Sequence, residues 1–241
     1  MGKIVFINPV GSSDFDQPVR KFLLDYKRQE TELEVISLEK GPPHLEYHSY
    51  EALIGPELLE LIRAYDRQNY AAAVIGCFYD PFLREAREVS RQMNVTAPAE
   101  ASMLLASSLA NKFSIIVGRD KWIPKMEENV HQYGYKNKLA SFRSVGLGVL
   151  DFHQDEELTA SRLLAEAKAA RDQDKAEAII LGCTIQFGFY QKMQRELNIP
   201  VIDAVLSSFK YAELLADVRD RMNWIPSKAY GFEAPPESDF A

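Results

Sequence analysis

The chain has 241 residues, a length sufficient for one large α/β domain or two small lobes. Of these residues, 46% are hydrophobic and 26% are charged, as in an ordinary globular enzyme. Its formal net charge of −7 argues against nucleic-acid binding, which usually needs a basic face. No apolar run is as long as a membrane span and the chain enters a strand almost at once, so we expect a cytoplasmic protein that binds neither nucleic acid nor membrane.

Strands and helices are predicted to alternate from the start of the chain. Apolar runs bounded by Gly, Pro and Asn predict the strands, and apolar residues at helical spacing predict the helices. In the first half, the predictions are a strand at 4–7, a helix at about 17–29, a strand at 33–38, a loop through 50, a helix at 56–65, a strand at 72–77, a helix at 84–92, a short extended piece at 95–98 and a helix at 100–110.

The second half repeats this rhythm. The predictions there are strands at 113–117, 141–150, 178–183 and 201–202, and helices at 122–133, 156–172, 189–197 and 207–222. Beyond residue 223 the pattern stops, and an end rich in Pro, Glu and Asp predicts a tail that docks through its aromatic residues or stays mobile.

The alternation predicts an α/β fold with two pseudo-symmetric lobes, each a parallel sheet flanked by helices. We expect residues 1–96, together with about 207–222, to form the first lobe. Residues 97–206 form the second, and 223–241 the C-terminal tail. The cleft between the lobes is the expected active site.

The only two cysteines, Cys77 and Cys183, each end an apolar run, and each follows a Gly expected to let the backbone turn. This places them at the carboxyl ends of parallel strands, where open α/β folds bind ligands. One Gly-Cys pair alone is more often a buried small residue. The matched pair instead favours removal of a proton from one face of a carbon and its return to the other.

Thiol chemistry suits that task. A thiol pKa of about 8.5 lies near enough to neutrality for one group to act as base and the other as acid. Both cysteines are expected to precede helix starts, whose backbone N–H groups favour the thiolate. Cysteines so far apart in the chain do not form a secreted disulfide framework, so reduced thiols are expected.

Four segments carry a family resemblance: Asn8-Pro9 with Ser12, Gly76-Cys77-Phe78-Tyr79-Asp80-Pro81, Leu181-Gly182-Cys183-Thr184, and Pro200-Val201-Ile202-Asp203. From residue 4 to about 215 the chain resembles the aspartate/glutamate/hydantoin racemase superfamily. The first cysteine segment looks most like the hydantoin and allantoin racemase branch. The resemblance implies an isomerase without cofactor, in which Cys77 and Cys183 are the catalytic acid/base pair.

The resemblance also implies substrate contacts by Asn8, Ser12, Phe78, Asp80 and Thr184. Each has a structural alternative. Asn8 and Ser12 would form an Asn-Pro turn with Ser capping the next helix, and Thr184 would be a helix N-cap. Asp80 would end its turn or cap a helix, and Phe78 would pack in the core. Asp203 similarly has a structural alternative, as part of a loop.

One departure bears on the substrate. Ile185 stands where amino-acid racemases often carry a His, which removes an obvious activator of Cys183. This favours a substrate whose carbon acid is already activated, such as a cyclic imide or a hydantoin-type ring. An amino acid is the alternative substrate.

Metal and nucleotide sites are not predicted. His44 and His48, with Glu46 between them, lack a third ligand at convincing spacing, and the glycines form no phosphate-binding fingerprint. We therefore expect a small-molecule substrate, no metal and no cofactor, and the sequence leaves a homo-oligomer open.

The resemblance also allows alternatives to a racemase. Decarboxylases and cis-trans isomerases share the fold, although a decarboxylase needs only one protonating thiol. A non-catalytic small-molecule binding protein, or a redox module in which the cysteines join, is the other class.

Overall fold

Two parallel four-stranded sheets form the framework of the structure, a computed structural model that describes residues 2–240. The first sheet contains β1 (Lys3–Asn8), β2 (Glu32–Ser37), β3 (Ala72–Ile75) and β4 (Asn94–Thr96) in the order β2-β1-β3-β4. The second contains β5 (Phe113–Val117), β6 (Leu139–Ser144), β7 (Ala178–Leu181) and β8 (Val201–Ile202) in the order β6-β5-β7-β8. The matching strand orders confirm the predicted pseudo-symmetric α/β fold.

Seven α-helices connect these strands in the described part of the chain, and an eighth follows the last strand. They are α1 (Asp16–Leu24), α2 (His48–Arg67), α3 (Leu83–Val89), α4 (Pro98–Leu109), α5 (Ile123–Gln132), α6 (Glu156–Asp172), α7 (Tyr190–Leu197) and α8 (Ala204–Met222). None of the helices within residues 2–240 combines the length and the apolar character needed to cross a bilayer.

The chain divides into two compact units. One runs up to Gly76 and includes Pro81–Ala97 and the residues from Phe209 onward; the other contains Cys77–Asp80 and Pro98–Ser208. The domain boundaries predicted above, and the expected active-site cleft, stay predictions.

The central strands make the core of each sheet. Every residue of β3, β5 and β7 is buried, and so is every residue of β1 after Lys3. Parallel strands covered on both faces need continuous apolar runs, which explains why these strands were predictable from short stretches of sequence.

The predicted loop through residue 50 and helix start at 56 are wrong, because α2 begins at His48 and carries Pro56 inside it. Its buried residues Ile54, Leu58 and Ile62 recur every four positions, so the core-facing stripe starts before the proline. Gly55 on this helix allows close packing: a Cβ there would lie 2.9 Å from Cζ of Phe82.

Three other predicted boundaries needed tertiary information. The predicted strand at 141–150 ends at Ser144, where Gly146 (φ +69°) turns the chain. The helix predicted at 17–29 ends at Leu24, and the backbone N–H of Arg28 is instead bound by the Glu213 carboxylate. The last helix begins three residues earlier than predicted, at Ala204.

The tail docks through polar contacts, and the exposed rings of two of its aromatic residues, Trp224 and Tyr230, take no part in the docking that was predicted for the aromatic residues. Trp224 is 65% exposed and Tyr230 is 96% exposed. Lys228 donates to the carbonyl oxygens of Arg87 (2.6 Å) and Glu88 (3.0 Å). Nearer the chain end, Glu237 forms ion pairs with Arg63 (2.7 Å) and Arg91 (2.8 Å).

Candidate active site

The two cysteines occupy equivalent places. Cys77 is the second residue after β3 and Cys183 the second residue after β7, each of which pairs with the first strand of its sheet. Both are half-buried thiols. Although Cys77 follows a strand of the first sheet, residues 77–80 belong to the same compact unit as Cys183.

The glycine before each cysteine serves close packing, which corrects the expectation that it turns the backbone. Neither Gly76 nor Gly182 has a positive φ. The N–H of Gly76 donates to the carbonyl of Ile7 (2.7 Å), and that of Gly182 to the carbonyl of Ile116 (2.8 Å). A Cβ at 76 would lie 2.4 Å from the Phe6 ring. Each glycine therefore continues the strand ladder where no side chain fits.

The prediction that both cysteines precede helix starts is met only by a 3-10 turn, after Cys183. After Cys77 the chain makes a turn, and α3 begins at Leu83. Cys183 is the N-cap residue of a single 3-10 turn, Thr184–Gln186, and α7 begins only at Tyr190. No α-helix therefore begins in the chain directly after either cysteine.

Asp80 caps a helix from the turn after Cys77. Its N–H donates to the Cys77 carbonyl (2.9 Å), and its carboxylate accepts from the N–H groups of Ala99 (2.8 Å) and Glu100 (2.9 Å) at the start of α4. The Tyr133 hydroxyl donates a further bond (2.9 Å). Burial raises the pKa of Asp80 to about 7 despite these hydrogen bonds, which pull it down. These contacts match its structural alternative, and substrate contact by Asp80 stays a prediction.

Asp203, between β8 and α8, caps a helix in the same way. Its carboxylate accepts from the N–H groups of Val205 (2.9 Å) and Leu206 (3.1 Å), which explains why α8 begins early. Its other oxygen accepts from the N–H of Gly188 (2.9 Å), in the segment after Cys183. Burial raises the pKa of Asp203 to about 6, against the effect of these bonds. Two buried carboxylates thus fasten the segments that follow the two cysteines.

Asn8 and Ser12 both bind aspartates near the start of α1. The Asn8 amide donates to Asp16 (2.6 Å), and the Ser12 hydroxyl donates to Asp14 (2.7 Å). The N-cap position of α1 is Phe15, so the alternative in which Ser12 caps that helix is wrong. Their role as substrate contacts stays a prediction.

Thr184 and Phe78 each follow a cysteine directly. Thr184 is the first residue of the 3-10 turn, and because the N-cap is Cys183, the N-cap alternative for Thr184 is wrong. Phe78 is only 2% exposed, which agrees with core packing. Substrate contact by either residue stays a prediction.

His153 is a residue that no sequence pattern indicated. Its Nε2 lies 2.8 Å from the carbonyl oxygen of Ile185, and its ring packs against Phe187 and Phe189 at centroid distances of 5.1 and 5.7 Å. The chain thus brings a histidine to the segment after Cys183 from a position 30 residues earlier. Only a contact between distant residues could have indicated it.

The histidines considered above for a metal lie among aromatic residues. The His44 ring packs against Tyr47 and Tyr50 at centroid distances of 6.0 and 5.5 Å. Within residues 2–240 no group of three or more His, Cys, Asp or Glu side chains is placed to hold a metal ion.

Comparison with known proteins identifies the family. The model of the Asp/Glu/hydantoin racemase family matches residues 4–212. The chain belongs to this family. It is 33% identical over 228 residues to a hydantoin racemase of Pseudomonas sp. (strain NS671), covering 95% of this chain and 91% of that protein. It is 34% identical over 239 residues to a hydantoin racemase of Paenarthrobacter aurescens, covering 99% of each.

A solved structure supports the same assignment. Allantoin racemase from Klebsiella pneumoniae superposes with a TM-score of 0.91 at 30% identity, over 98% of this chain and 95% of that chain. These relatives make the chain an isomerase of the racemase type, and the resemblance to the hydantoin and allantoin branch is confirmed.

Proposed function

We propose that this racemase inverts a carbon next to a carbonyl in a hydantoin-type ring, with Cys77 and Cys183 as its acid/base pair and without a cofactor. The observation that carries the proposal is the equivalent placement of two half-buried thiols, each two residues past a central strand. Hydantoin and allantoin racemases are also among the relatives that match the chain over nearly its whole length.

The reaction needs only proton transfers. One cysteine, as thiolate, removes the proton from the carbon, and the C–H electron pair moves into the adjacent carbonyl to form an enolate. The other cysteine, as thiol, delivers its proton to the opposite face while the enolate carbonyl re-forms. The two sulfurs have then exchanged protonation states, so the protein is set for the reverse direction.

A ring substrate fits this chain better than a free amino acid. A free amino acid carries a carboxylate next to the reacting carbon, and removal of a proton would add a second negative charge there. A hydantoin presents a neutral amide carbonyl at the same place. Ile185 offers no imidazole directly beyond Thr184 to activate Cys183, which agrees with a carbon acid that is easier to ionise.

Five further residues complete the proposed site. We assign substrate contacts to Asn8, Ser12, Phe78, Asp80 and Thr184. Asp80 in addition holds the turn after Cys77 through its bonds to Ala99, Glu100 and Tyr133.

Exchange of the α-proton tests the proposal. Single enantiomers of 5-substituted hydantoins and of amino acids are incubated in heavy water with wild type, Cys77→Ser and Cys183→Ser, and deuterium uptake and optical rotation are followed. Wild type should exchange and racemise hydantoins, and each substitution should lower racemisation about 10²- to 10⁴-fold. Each variant keeps one thiol, so residual exchange without inversion should favour opposite enantiomers in the two variants.

Other outcomes point to the alternatives. Unaltered racemisation in either variant would overturn the two-thiol mechanism. Wild type that binds hydantoins but exchanges no proton would favour a binding protein. Activity on a malonate-type acid that is lost in only one variant would favour a decarboxylase, and activity on maleate would favour a cis-trans isomerase.

A further inference from the structure

Asn8 carries a side-chain oxygen that is unpaired but open to solvent. The residue is the last of β1 and is only 8% exposed. Its Nδ2 donates to a carboxylate oxygen of Asp16 at 2.6 Å, whereas its Oδ1 has no hydrogen-bond partner among the described residues. Within the same residues, the unpaired side-chain atoms that are sealed from solvent belong to Thr96 and Gln186. Oδ1 of Asn8 is therefore an unpaired acceptor that keeps accessible surface.

The contact with Asp16 fixes which end of the Asn8 amide is left open. A carboxylate only accepts hydrogen bonds, so the N–H end of the amide faces Asp16 and the oxygen faces away from it. The same Asp16 oxygen accepts from the Ser37 hydroxyl at 2.7 Å, and this second bond holds the carboxylate in place. Hydrogen bonds to a carboxylate are stronger than bonds between neutral groups, so the reversed amide is disfavoured.

Asn8 lies at the end of the first sheet where ligands are expected. β1 pairs in parallel with β3, with Ile7 beside Ile75, and Cys77 follows β3 two residues later. Open parallel sheets bind ligands beyond the carboxyl ends of their strands. An accessible acceptor at this end suits a substrate that offers a donor.

We propose that Asp16 is a positioning residue that makes Asn8 an acceptor for a ring N–H of the substrate. Oδ1 of Asn8 accepts from the N–H, and Asp16 keeps the Asn8 Nδ2 turned away from it. With the amide reversed, two N–H groups would face each other and the bond would be lost. This assignment rests on the proposed function and narrows its substrate class to rings that carry an N–H, as a hydantoin does.

Discrimination against methylated rings tests the assignment. Wild type and Asp16→Asn are compared on a 5-substituted hydantoin and on its N1-methyl and N3-methyl derivatives. In wild type, kcat/KM for at least one derivative should be about 10-fold or more below that for the hydantoin, because methylation removes the donor. The new amide in Asp16→Asn can pair with either orientation of Asn8. It should therefore lower kcat/KM for the hydantoin about 3- to 10-fold and that for the penalised derivative little, so the discrimination shrinks.

Two further variants separate orientation from packing. Ser37→Ala removes the other bond to the same Asp16 oxygen but leaves a carboxylate facing Asn8, so it should keep the wild-type discrimination. Asn8→Ala removes the acceptor itself and should abolish the discrimination. Melting temperatures show whether the variants are folded. If Asp16→Asn does not fold, Asp16→Ser replaces it, since Ser is neutral and suits a helix start.

Three results would overturn the assignment. A wild type that turns over both methylated hydantoins as well as the parent would show that no ring N–H is bound. Equal discrimination in Asp16→Asn and wild type would leave Asp16 with a structural role only. Discrimination that survives in Asn8→Ala would mean that the methyl group is rejected by shape.

Failure of the proposed function would be distinguishable from failure of this assignment. If wild type exchanges no proton on any substrate, the proposed racemisation fails. Calorimetric titration of the same three hydantoins into wild type and Asp16→Asn then still decides the assignment. A lower preference for the parent hydantoin in Asp16→Asn would support it, and equal preferences or no binding to wild type would overturn it.

Discussion

The Nε2 atom of His153 lies 2.8 Å from the carbonyl oxygen of Ile185, two residues beyond Cys183. A carbonyl oxygen only accepts, so Nε2 is the donor in this contact. The same ring packs against Phe187 and Phe189. His153 therefore holds the segment that follows the second thiol by a polar bond and by ring contacts.

Replacement of His153 by Leu should impair this segment. The variant keeps apolar contact with the two phenylalanines and loses the bond to Ile185, so kcat/KM for hydantoin racemisation should fall about 5- to 10-fold. Steady-state polarimetry measures the effect. His131→Leu, at an exposed position of α5, is the matched control and should keep wild-type kinetics. If the two variants have equal kinetics, His153 has no role in racemisation.

Gly182→Ala should destabilise the second sheet. The new Cβ would lie 2.6 Å from Cγ2 of Ile115 and 3.0 Å from the carbonyl oxygen of Ile116, and neither neighbour has room to move within a buried sheet. Overpacking of this kind costs about 1–3 kcal/mol, measurable by urea unfolding. A Cβ at Gly231 meets nothing within 4 Å, so Gly231→Ala is the control. If Gly182→Ala unfolds at the same urea concentration as wild type, Gly182 is not closely packed against Ile115 and Ile116.

Asp80 should make the protein less stable as pH rises toward neutrality. Its folded pKa is about 7, raised by burial above an unfolded value near 3.8, so the folded state holds the proton more tightly. The protonated Asp80 carboxyl therefore makes its full contribution to the free energy of unfolding below about pH 4. That contribution, about a few kcal/mol in all, is lost as the pH rises to about 7. Asp203, with a folded pKa of about 6, should add a similar loss over a narrower range.

Urea unfolding at several pH values checks this dependence. The free energy of unfolding of wild type should decline between about pH 4 and pH 7, and Asp80→Asn should show a shallower decline because only Asp203 remains. The exposed Asp25 provides the control, since Asp25→Asn should keep the wild-type slope. If the free energy of unfolding of Asp80→Asn declines with pH as steeply as that of wild type, Asp80 is not the cause of the decline.

Glu213 on α8 should be a stabilising residue through its contacts with the segment after α1. Its carboxylate accepts from the Arg28 N–H (2.8 Å), the Thr31 hydroxyl (2.7 Å) and the Lys210 ammonium (2.6 Å). Burial alone would raise the pKa of Glu213, but these bonds outweigh it and hold the pKa below its usual value. Glu213→Gln should lose about 1–3 kcal/mol at neutral pH.

The pH dependence of that loss separates charge from packing. A carboxyl with a lowered folded pKa stabilises above its unfolded pKa, and the contribution disappears as pH falls through the folded value. The difference between wild type and Glu213→Gln should therefore shrink in acid. Glu30→Gln, on the exposed surface, should cost little at any pH. A constant difference at all pH values would indicate that packing, not charge, is lost.

The sequence by itself determined the sheet cores and the matched cysteines. The runs that became β3, β5 and β7 are short, continuous and apolar, as strands covered on both faces require, so local sequence was sufficient to place them. The Gly-Cys repeat at the ends of β3 and β7 led from the same local pattern to the family, which the comparisons confirmed.

Only the tertiary structure decided how the segments around the cysteines are held. The role of Gly76 depends on the ring of Phe6, and the start of α4 depends on Asp80, and in both cases the partners are far apart in the chain. His153 reaches Ile185 across 32 residues, and the burial of Gln186 depends on everything packed around it. Periodicity reports which side of an element faces the core, because that is a local property. Hydrogen bonds and close contacts between distant residues exist only once the chain has folded.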